Sequence, residues 1–528
     1  MKTTHSKRKW LRRLAYLVAF LFVGVFVLSL FYRLPDISSR EQSYAINDGA
    51  LTSLGRDFDS KLAARPGKTG VFLLPNGRDA FATRALLARK AEKSIDLQYY
   101  IYHQDTVGSL LTYEMIRAAD RGVRVRMLID DIYGNQGEET WVALDAHPNI
   151  DVRLWNPWKR GNSRMIQSVF RARDINYRMH SKSFTVDNQA TVLGGRNIGD
   201  EYFDADTNVA FSDIDVLAIG PPVAQVSSEF DLYWNNELAY PANILVRQGS
   251  ERDLNSLRDA RMAFYQKQAT SSYVKALTDS DLAHGLADGS LAFSWSEARV
   301  IHDSSQKKTL GKKGKDELLI SQLAPYITGA KKSADIVSPY FVPGDNAADA
   351  MCRLAQNGVR VRILTNSLAS NDVSAVHAGY SKYRRKLLRC GVELFELDES
   401  LKDQKGKAFT WLPGLKKSSL HAKTMVFDGE IMFVGSFNFD QRSLHINNEI
   451  GLLFHDPEVA GEVAENFENN VNKVAFKVEF EREGGLGNMQ WTGGQGGPET
   501  VMEEEPYATT FRKFTVGILK WLPIDSQL

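Results

Sequence analysis

Two short strings of polar residues repeat the same types at the same spacing. His180 and Lys182 are followed by Asp187, and His421 and Lys423 by Asp428. In both, one residue separates histidine from lysine and four separate lysine from aspartate. Each string leads to a small-residue turn and an asparagine, Gly194-Gly195-Arg196-Asn197 and Gly435-Ser436-Phe437-Asn438. Imidazole, ammonium and amide together suit a phosphate diester. An imidazole can attack phosphorus or pass a proton. Lysine and asparagine can donate to oxygens on which negative charge grows. Two copies supply two histidines, enough to divide attack and leaving-group protonation within one composite site. The lysines bring the positive charge that a divalent ion would otherwise supply. No His-Glu-x-x-His, Cys-x-x-Cys or aspartate cluster argues otherwise, so no metal and no cofactor is expected. One histidine beside a lysine carries little meaning, but a duplicated set with equal spacing carries much.

Both strings sit in the same local frame. Ser183–Val186 and Ala190–Leu193 are apolar runs, as are Thr424–Phe427 and Ile431–Val434. Turn residues separate them, which predicts two β-hairpins with two-residue turns at 188–189 and 429–430. In that register His180 faces Asn197 and Lys182 faces Gly195, while His421 faces Asn438 and Lys423 faces Ser436. Strand residues two apart point the same way. His, Lys and Asn therefore converge at the open end of each hairpin, and Asp187 and Asp428 fall at the far turns in a capping role.

The surroundings repeat too. Ala91-Glu92-Lys93-Ser94-Ile95-Asp96 resembles Ala330-Lys331-Lys332-Ser333-Ala334-Asp335, and Gly122-Val123-Arg124-Val125-Arg126 recurs as Gly358-Val359-Arg360-Val361-Arg362. A repeat this long is a duplicated domain. Alternating strands and helices predict α/β halves with buried sheets, over about 67–245 and 295–480. A polar linker is expected over 34–66, a helical connector over 246–294, and a loop at Gly484–Gly497. In the tail, 481–528, Phe511, Phe514, Ile518 and Trp521 recur at helical spacing beside Arg512, Lys513 and Lys520. That helix either packs back on the domain or lies on a bilayer.

A length of 528 residues exceeds one ordinary domain. A net charge of +1 gives no polyanion-binding signal, and no nucleic-acid partner is expected. Cys352 and Cys390 form no disulfide framework; they are one bond in an oxidising compartment or two buried thiols. Basic residues in 1–13 precede an uncharged apolar stretch, 14–32, long enough to span a bilayer. It ends without a small-residue cleavage site, so an uncleaved transmembrane anchor is expected. The basic flank should stay cytoplasmic and the remainder lie across the membrane. Lys307, Lys308, Lys312, Lys313 and Lys315 read as a solvated loop. Tyr99, Tyr100, Tyr340 and Phe341 follow equivalent strands and are core or entrance residues, core being the simpler reading.

At these residues the chain resembles the phospholipase D superfamily, whose motif H-x-K-x4-D-x6-G-(G/S)-x-N it matches twice. The resemblance spans nearly everything from 67 to 480. It implies two α/β/α sandwich halves packed with their motifs face to face around one site. It implies His180 as nucleophile, forming a phosphohistidine, and His421 as general acid; the symmetry of the motifs also admits the reverse. It further implies an acidic residue orienting each histidine through its other ring nitrogen, with Glu449 matched to His421 and Asp215 to His180. Gly195 stands where a serine is usual, whereas Ser436 keeps it. Gly195–Phe203, Asn366-Ser367-Leu368, His377–Tyr380 and Leu522-Pro523-Ile524 resemble the single-span branch of the bacterial cardiolipin synthases. The implied reaction captures a phosphatidyl group from phosphatidylglycerol on histidine and passes it to the hydroxyl of a second phospholipid at the inner membrane. Phosphatidylethanolamine is a further candidate substrate. Hydrolysis to phosphatidate is the second reading, and a membrane-anchored nuclease the third.

Overall fold

Apolar β-rich runs alternate with helices, and the two halves build sheets of the same order. In the computed structural model the residues described are 33–134, 136–205, 211–309, 316–400, 419–482, 486–494 and 500–522, with six scattered positions between 13 and 24. The first half contains β1 (Thr69–Leu74), β2 (Ser94–Tyr99), β3 (Arg124–Asp130), β4 (Ile150–Trp155), β5 (Ser183–Val186), β6 (Ala190–Gly194), β7 (Phe211–Ser212), β8 (Asp215–Ile219) and β9 (Ala239–Pro241). Apart from β7, they lie in the order β1-β8-β6-β5-β2-β3-β4-β9. The second half contains β10 (Ser294–His302), β11 (Ser333–Val337), β12 (Arg360–Asn366), β13 (Glu393–Leu397), β14 (Ser419–Leu420), β15 (Thr424–Phe427), β16 (Ile431–Gly435), β17 (Ile450–His455), β18 (Ala475–Arg482) and β19 (Leu486–Gly493). Apart from β14, the order is β10-β17-β16-β15-β11-β12-β13-β18-β19. β1 pairs with β10 and joins the two into one mixed sheet.

The repeated pentapeptide has a physical reason. Gly122 and Gly358 have φ of 94° and 86°, the left-handed backbone that ends a helix at low cost only for glycine. They follow the helices Thr106–Asp120 and Gly344–Gln356. The second arginine of each copy then pairs with the aspartate of the adjacent parallel strand: Arg126 with Asp96 at 2.7 Å, and Arg362 with Asp335 at 2.5 Å. Each half has its own apolar core, and a third cluster draws on both, including Leu193, Val216 and Ala218 with Val434, Ile450 and Leu452.

Several expectations change. The hairpin turns hold three residues, not two: Val186 pairs with Ala190 and Phe427 with Ile431. Every cross-strand pair therefore shifts by one, and Lys423 stands opposite Gly435, whose N–H it accepts at 3.3 Å. The cause is visible at Asp187 and Asp428, which take φ of 52° and 57°. Their carboxylates accept backbone N–H bonds from Glu92, Lys93 and Ser94, and from Lys331, Lys332 and Ser333. The turn is thereby tied to the start of β2 or β11. The polar 34–66 segment contains a helix, Ser53–Ala63, that buries Leu54 and Phe58 in the first core. The 246–294 stretch is helical but is no free connector, since Tyr273, Leu277, Leu282 and Leu286 enter that same core. Residues 486–493 form β19 against β18 rather than a loop. The anchor expected at 14–32 lies almost wholly outside the described residues; among those described, no helix is long and apolar enough to cross a membrane.

Cys352 and Cys390 are bonded, closing 38 residues of chain. Loop-closure entropy puts the stabilisation at about 4 kcal/mol. Dithiothreitol should therefore lower the urea midpoint of the wild type and leave a Cys352→Ser/Cys390→Ser variant unmoved. Equal midpoints of the wild type with and without reductant would show the bond to be absent.

Candidate active site

Each histidine sits just before its hairpin, on backbone that pairs with the opposite half. The N–H of His180 donates to the carbonyl of Asn448 at 2.8 Å, and the N–H of Asn448 to the carbonyl of Arg178 at 2.9 Å. In mirror fashion β14 pairs with β7, and the N–H of His421 donates to the carbonyl of Ser212 at 2.8 Å. This exchange decides which acid meets which imidazole. His180 Nδ1 lies 2.8 Å from Glu449 Oε2. His421 Nδ1 lies 2.6 Å from Asp213 Oδ2.

Both sequence-based pairings of acid with histidine therefore need correction. Glu449 faces His180, not His421. Asp215 faces neither histidine; its carboxylate takes Arg84 Nη2 at 2.8 Å and the N–H of Arg196 at 3.2 Å. The residue the reading missed is Asp213. A signal for it existed: β8 and β17 are equivalent strands, with Asp215 opposite Gly194 and Gly451 opposite Gly435. Asp213-Ile214-Asp215 thus matches Glu449-Ile450-Gly451, and Asp213 is the counterpart of Glu449.

The glycine at 195 follows from the same geometry. A Cβ there would lie 2.4 Å from Asp213 Oδ1. Opposite, Ser436 fits and donates to Glu449 at 2.6 Å, with Ser443 donating to the other oxygen at 2.7 Å. Lys307 is buried rather than solvated. Its ammonium donates to the carbonyls of Ser443 and Asn447 and to Asp303, whose carboxylate accepts the N–H of Glu449. The site thus rests on a buried ion pair that fixes the Glu449 backbone.

The remaining sequence candidates divide between site and scaffold. The ammonium groups of Lys182 and Lys423 donate to the carbonyls of His180 and His421. Asn197 accepts the N–H of Ile101 at 3.2 Å. Asn438 is 5% exposed, and its Oδ1 has no hydrogen-bond partner among the described residues. Asp187 and Asp428 stay at the far turns. Tyr99 and Phe341 are core, whereas the ring of Tyr100 lies 4.9 Å from that of His180. Tyr202 and Phe211 approach His421 at 5.1 and 5.3 Å.

Burial in this positive cluster disfavours further charge. Burial and then Lys182 hold His180 well below the ordinary imidazole range. Burial and then Lys423 lower His421 to about 4. Burial also lowers Lys182 well below its usual range and Lys423 to about 8. Both shifts favour the neutral imidazole while no anionic substrate is bound. With Nδ1 committed to a carboxylate, each offers Nε2 for chemistry.

A family model described as "Cardiolipin synthase, PLD-like domain" matches residues 86–234 and again 323–471. The chain belongs to this family. It is an enzyme of the phosphatidyltransferase type. Among curated relatives of this cardiolipin synthase-like chain, Escherichia coli cardiolipin synthase C is 36% identical over 460 residues, covering 87% of this chain and 96% of the relative. A cardiolipin synthase from a Geobacillus strain is 26% identical over 429 residues, 80% of this chain and 71% of that one. Among solved structures, Haemophilus influenzae phosphatidylserine synthase aligns at a TM-score of 0.51 and 15% identity, over 80% of this chain and 91% of that one. That last likeness concerns the fold.

A pH profile of this family member should report the site. Nucleophilic use of His180 needs its neutral form, and burial and then Lys182 favour that form, so kcat/KM should persist as pH falls through the ordinary imidazole range. Charge neutralisation needs the ammonium, so it should fall as pH passes up through about 8, where Lys423 loses its proton. Lys423→Arg keeps its charge and should carry the descending limb upward. A descending limb that stays in place in that variant would remove Lys423 from this role.

Proposed function

We propose that the chain makes cardiolipin, passing a phosphatidyl group from phosphatidylglycerol to the primary hydroxyl of a second phospholipid through a phosphohistidine. The observation that carries this reading is the pair of imidazoles, each held at Nδ1 by a carboxylate of the opposite half. His180 Nε2 attacks phosphorus and the bond to the departing glycerol oxygen breaks. The negative charge of the bound diester favours a proton taken up from solvent on His421 Nε2, and this imidazolium, steadied by Asp213, gives the departing oxygen that proton. In the second step His421 takes the proton of the incoming hydroxyl, whose oxygen displaces His180 from phosphorus. Lys182, Lys423 and Asn438 stand by to neutralise the phosphoryl oxygens. Tyr100, Tyr202 and Phe211 pack against the two imidazoles, and an aromatic wall limits water as a rival to the lipid alcohol.

The chain would be held by the 14–32 stretch, with its catalytic halves on the outer face of the inner membrane. The Cys352–Cys390 bond suits that compartment, since disulfides persist where the surroundings are oxidising.

The test is purified protein in vesicles of phosphatidylglycerol and phosphatidylethanolamine, with and without EDTA. Cardiolipin should form in both. Phosphatidate without cardiolipin would replace transfer by hydrolysis. Loss with EDTA, reversed by a divalent ion, would overturn the metal-free route.

A further inference from the structure

The terminal helix, Thr510–Leu519, presents two apolar faces, and only one is used. Its inner face is seated: Val516 is 4% exposed and packs with Leu368 and Ala378. The guanidinium of Arg512 donates to the carbonyls of Leu368 and Ala369 at 3.0 and 2.6 Å. Just before the helix, the Glu505 carboxylate is gripped by Arg384 and His377. The helix is therefore fixed in place without help from its outer face.

That outer face carries the stripe seen in the sequence. Phe511 is 76% exposed, Phe514 66%, Ile518 51% and Trp521 89%. Isolated exposed apolar residues are ordinary, but four at one helical spacing are not. Residues 510–522 also hold three basic residues, Arg512, Lys513 and Lys520, and no acidic one. An apolar stripe flanked by cations, with tryptophan at its end, matches an anionic lipid surface. It matches a second copy of the same helix less well, because the stripe itself carries no acidic residue and Glu504, just before it, is already paired with Lys513 of its own chain.

The position of the helix links it to catalysis. Leu368 and Ala369, on which it rests, follow β12 by two and three residues. Asn366 at the end of β12 exchanges hydrogen bonds with the backbone of Leu420, donating to its carbonyl and accepting its N–H, both at 3.0 Å. Leu420 immediately precedes His421. Further along the same loop, the Asp372 carboxylate accepts the hydroxyl of Tyr340 and acts electrostatically on Lys423.

We infer that the terminal helix is an interfacial element that seats the mouth of the active site on an anionic bilayer. Phe511, Phe514, Ile518 and Trp521 enter the acyl boundary and Lys520 meets the headgroups, while Arg512 holds the carbonyls of Leu368 and Ala369 and Lys513 pairs with Glu504. This rests on the lipid-substrate reading above for its purpose, but not for its detection.

The experiment uses the full chain reconstituted into phosphatidylglycerol–phosphatidylcholine vesicles with brominated acyl chains. Wild type and Trp521→Phe are compared, the difference giving the share of tryptophan emission due to Trp521. Bromine should quench that share. A Phe511→Ser/Phe514→Ser/Trp521→Ser variant should turn over bilayer phosphatidylglycerol about tenfold more slowly, a change of about 1.4 kcal/mol. It should keep wild-type turnover of dihexanoyl phosphatidylglycerol dissolved as monomers. An unquenched Trp521, or equal losses on both substrates, would overturn the inference. So would efficient Trp521→Cys cross-linking between copies in the vesicles, which would assign the stripe to a dimer. If the wild type turns over neither lipid, the functional reading fails alone, because the quenching needs no turnover.

Discussion

His180→Asn and His421→Asn should each lower kcat by about 10⁴-fold or more, because on the route proposed above each imidazole serves in both steps and neither can replace the other. The double variant should be scarcely slower than either single one, since residues acting as a unit do not contribute additively. The two single variants should still differ in one respect. With His421 removed, a substrate bearing a good leaving group needs no acid, so the phosphoryl adduct should accumulate on His180 and be found there by mass spectrometry. With His180 removed, no adduct should form. An adduct on His421 instead would exchange the two roles while leaving the composite site intact. Substantial turnover in either single variant would mean that the halves work separately.

The second large effect concerns the carboxylates. Glu449→Gln and Asp213→Asn should each cost about 10³–10⁴-fold in kcat, because an amide oxygen or nitrogen at Nδ1 no longer fixes the tautomer or steadies the imidazolium. Substrate affinity should change little, so the loss should appear in kcat rather than in KM. Asp215→Asn makes the contrasting case. That carboxylate is buried against Arg84, and its loss should appear mainly as a lower melting temperature. Asp215→Asn falling as far in kcat as Asp213→Asn, at unchanged stability, would undo the present assignment.

Much of this site was legible from local spacing. The paired His and Lys, the hairpins and the duplicated α/β frame all follow from residues within a few positions of one another. Features decided at long range were not legible. The acid that meets each histidine is 269 residues away for His180 and 208 for His421. Matching within each half gave the wrong partner because the halves exchange backbone pairing at the site. The turn length was misjudged for a local reason with a distant cause. Asp187 and Asp428 adopt a left-handed backbone that is uncommon outside glycine, and what secures it is a set of N–H groups from the start of another strand. Lys307 looked like part of a solvated run because composition cannot show that the carbonyls of Ser443 and Asn447 surround its ammonium. The terminal helix was foreseen as a helix, but which of its faces packs inward depended on Leu368 and Ala378.

The exchange of carboxylates between the halves also has a consequence for the timing of activity during biosynthesis. A ribosome releases the first half well before Glu449 exists, so His180 then has nothing to hold its ring, and Asp213 has no histidine to hold. A stalled or clipped chain is therefore inert, whichever half survives. On the function proposed above, such a chain gains from being silent until the segment leading into β17 has brought Glu449 into place. Two fragments made separately should each be blank and regain activity only by finding one another.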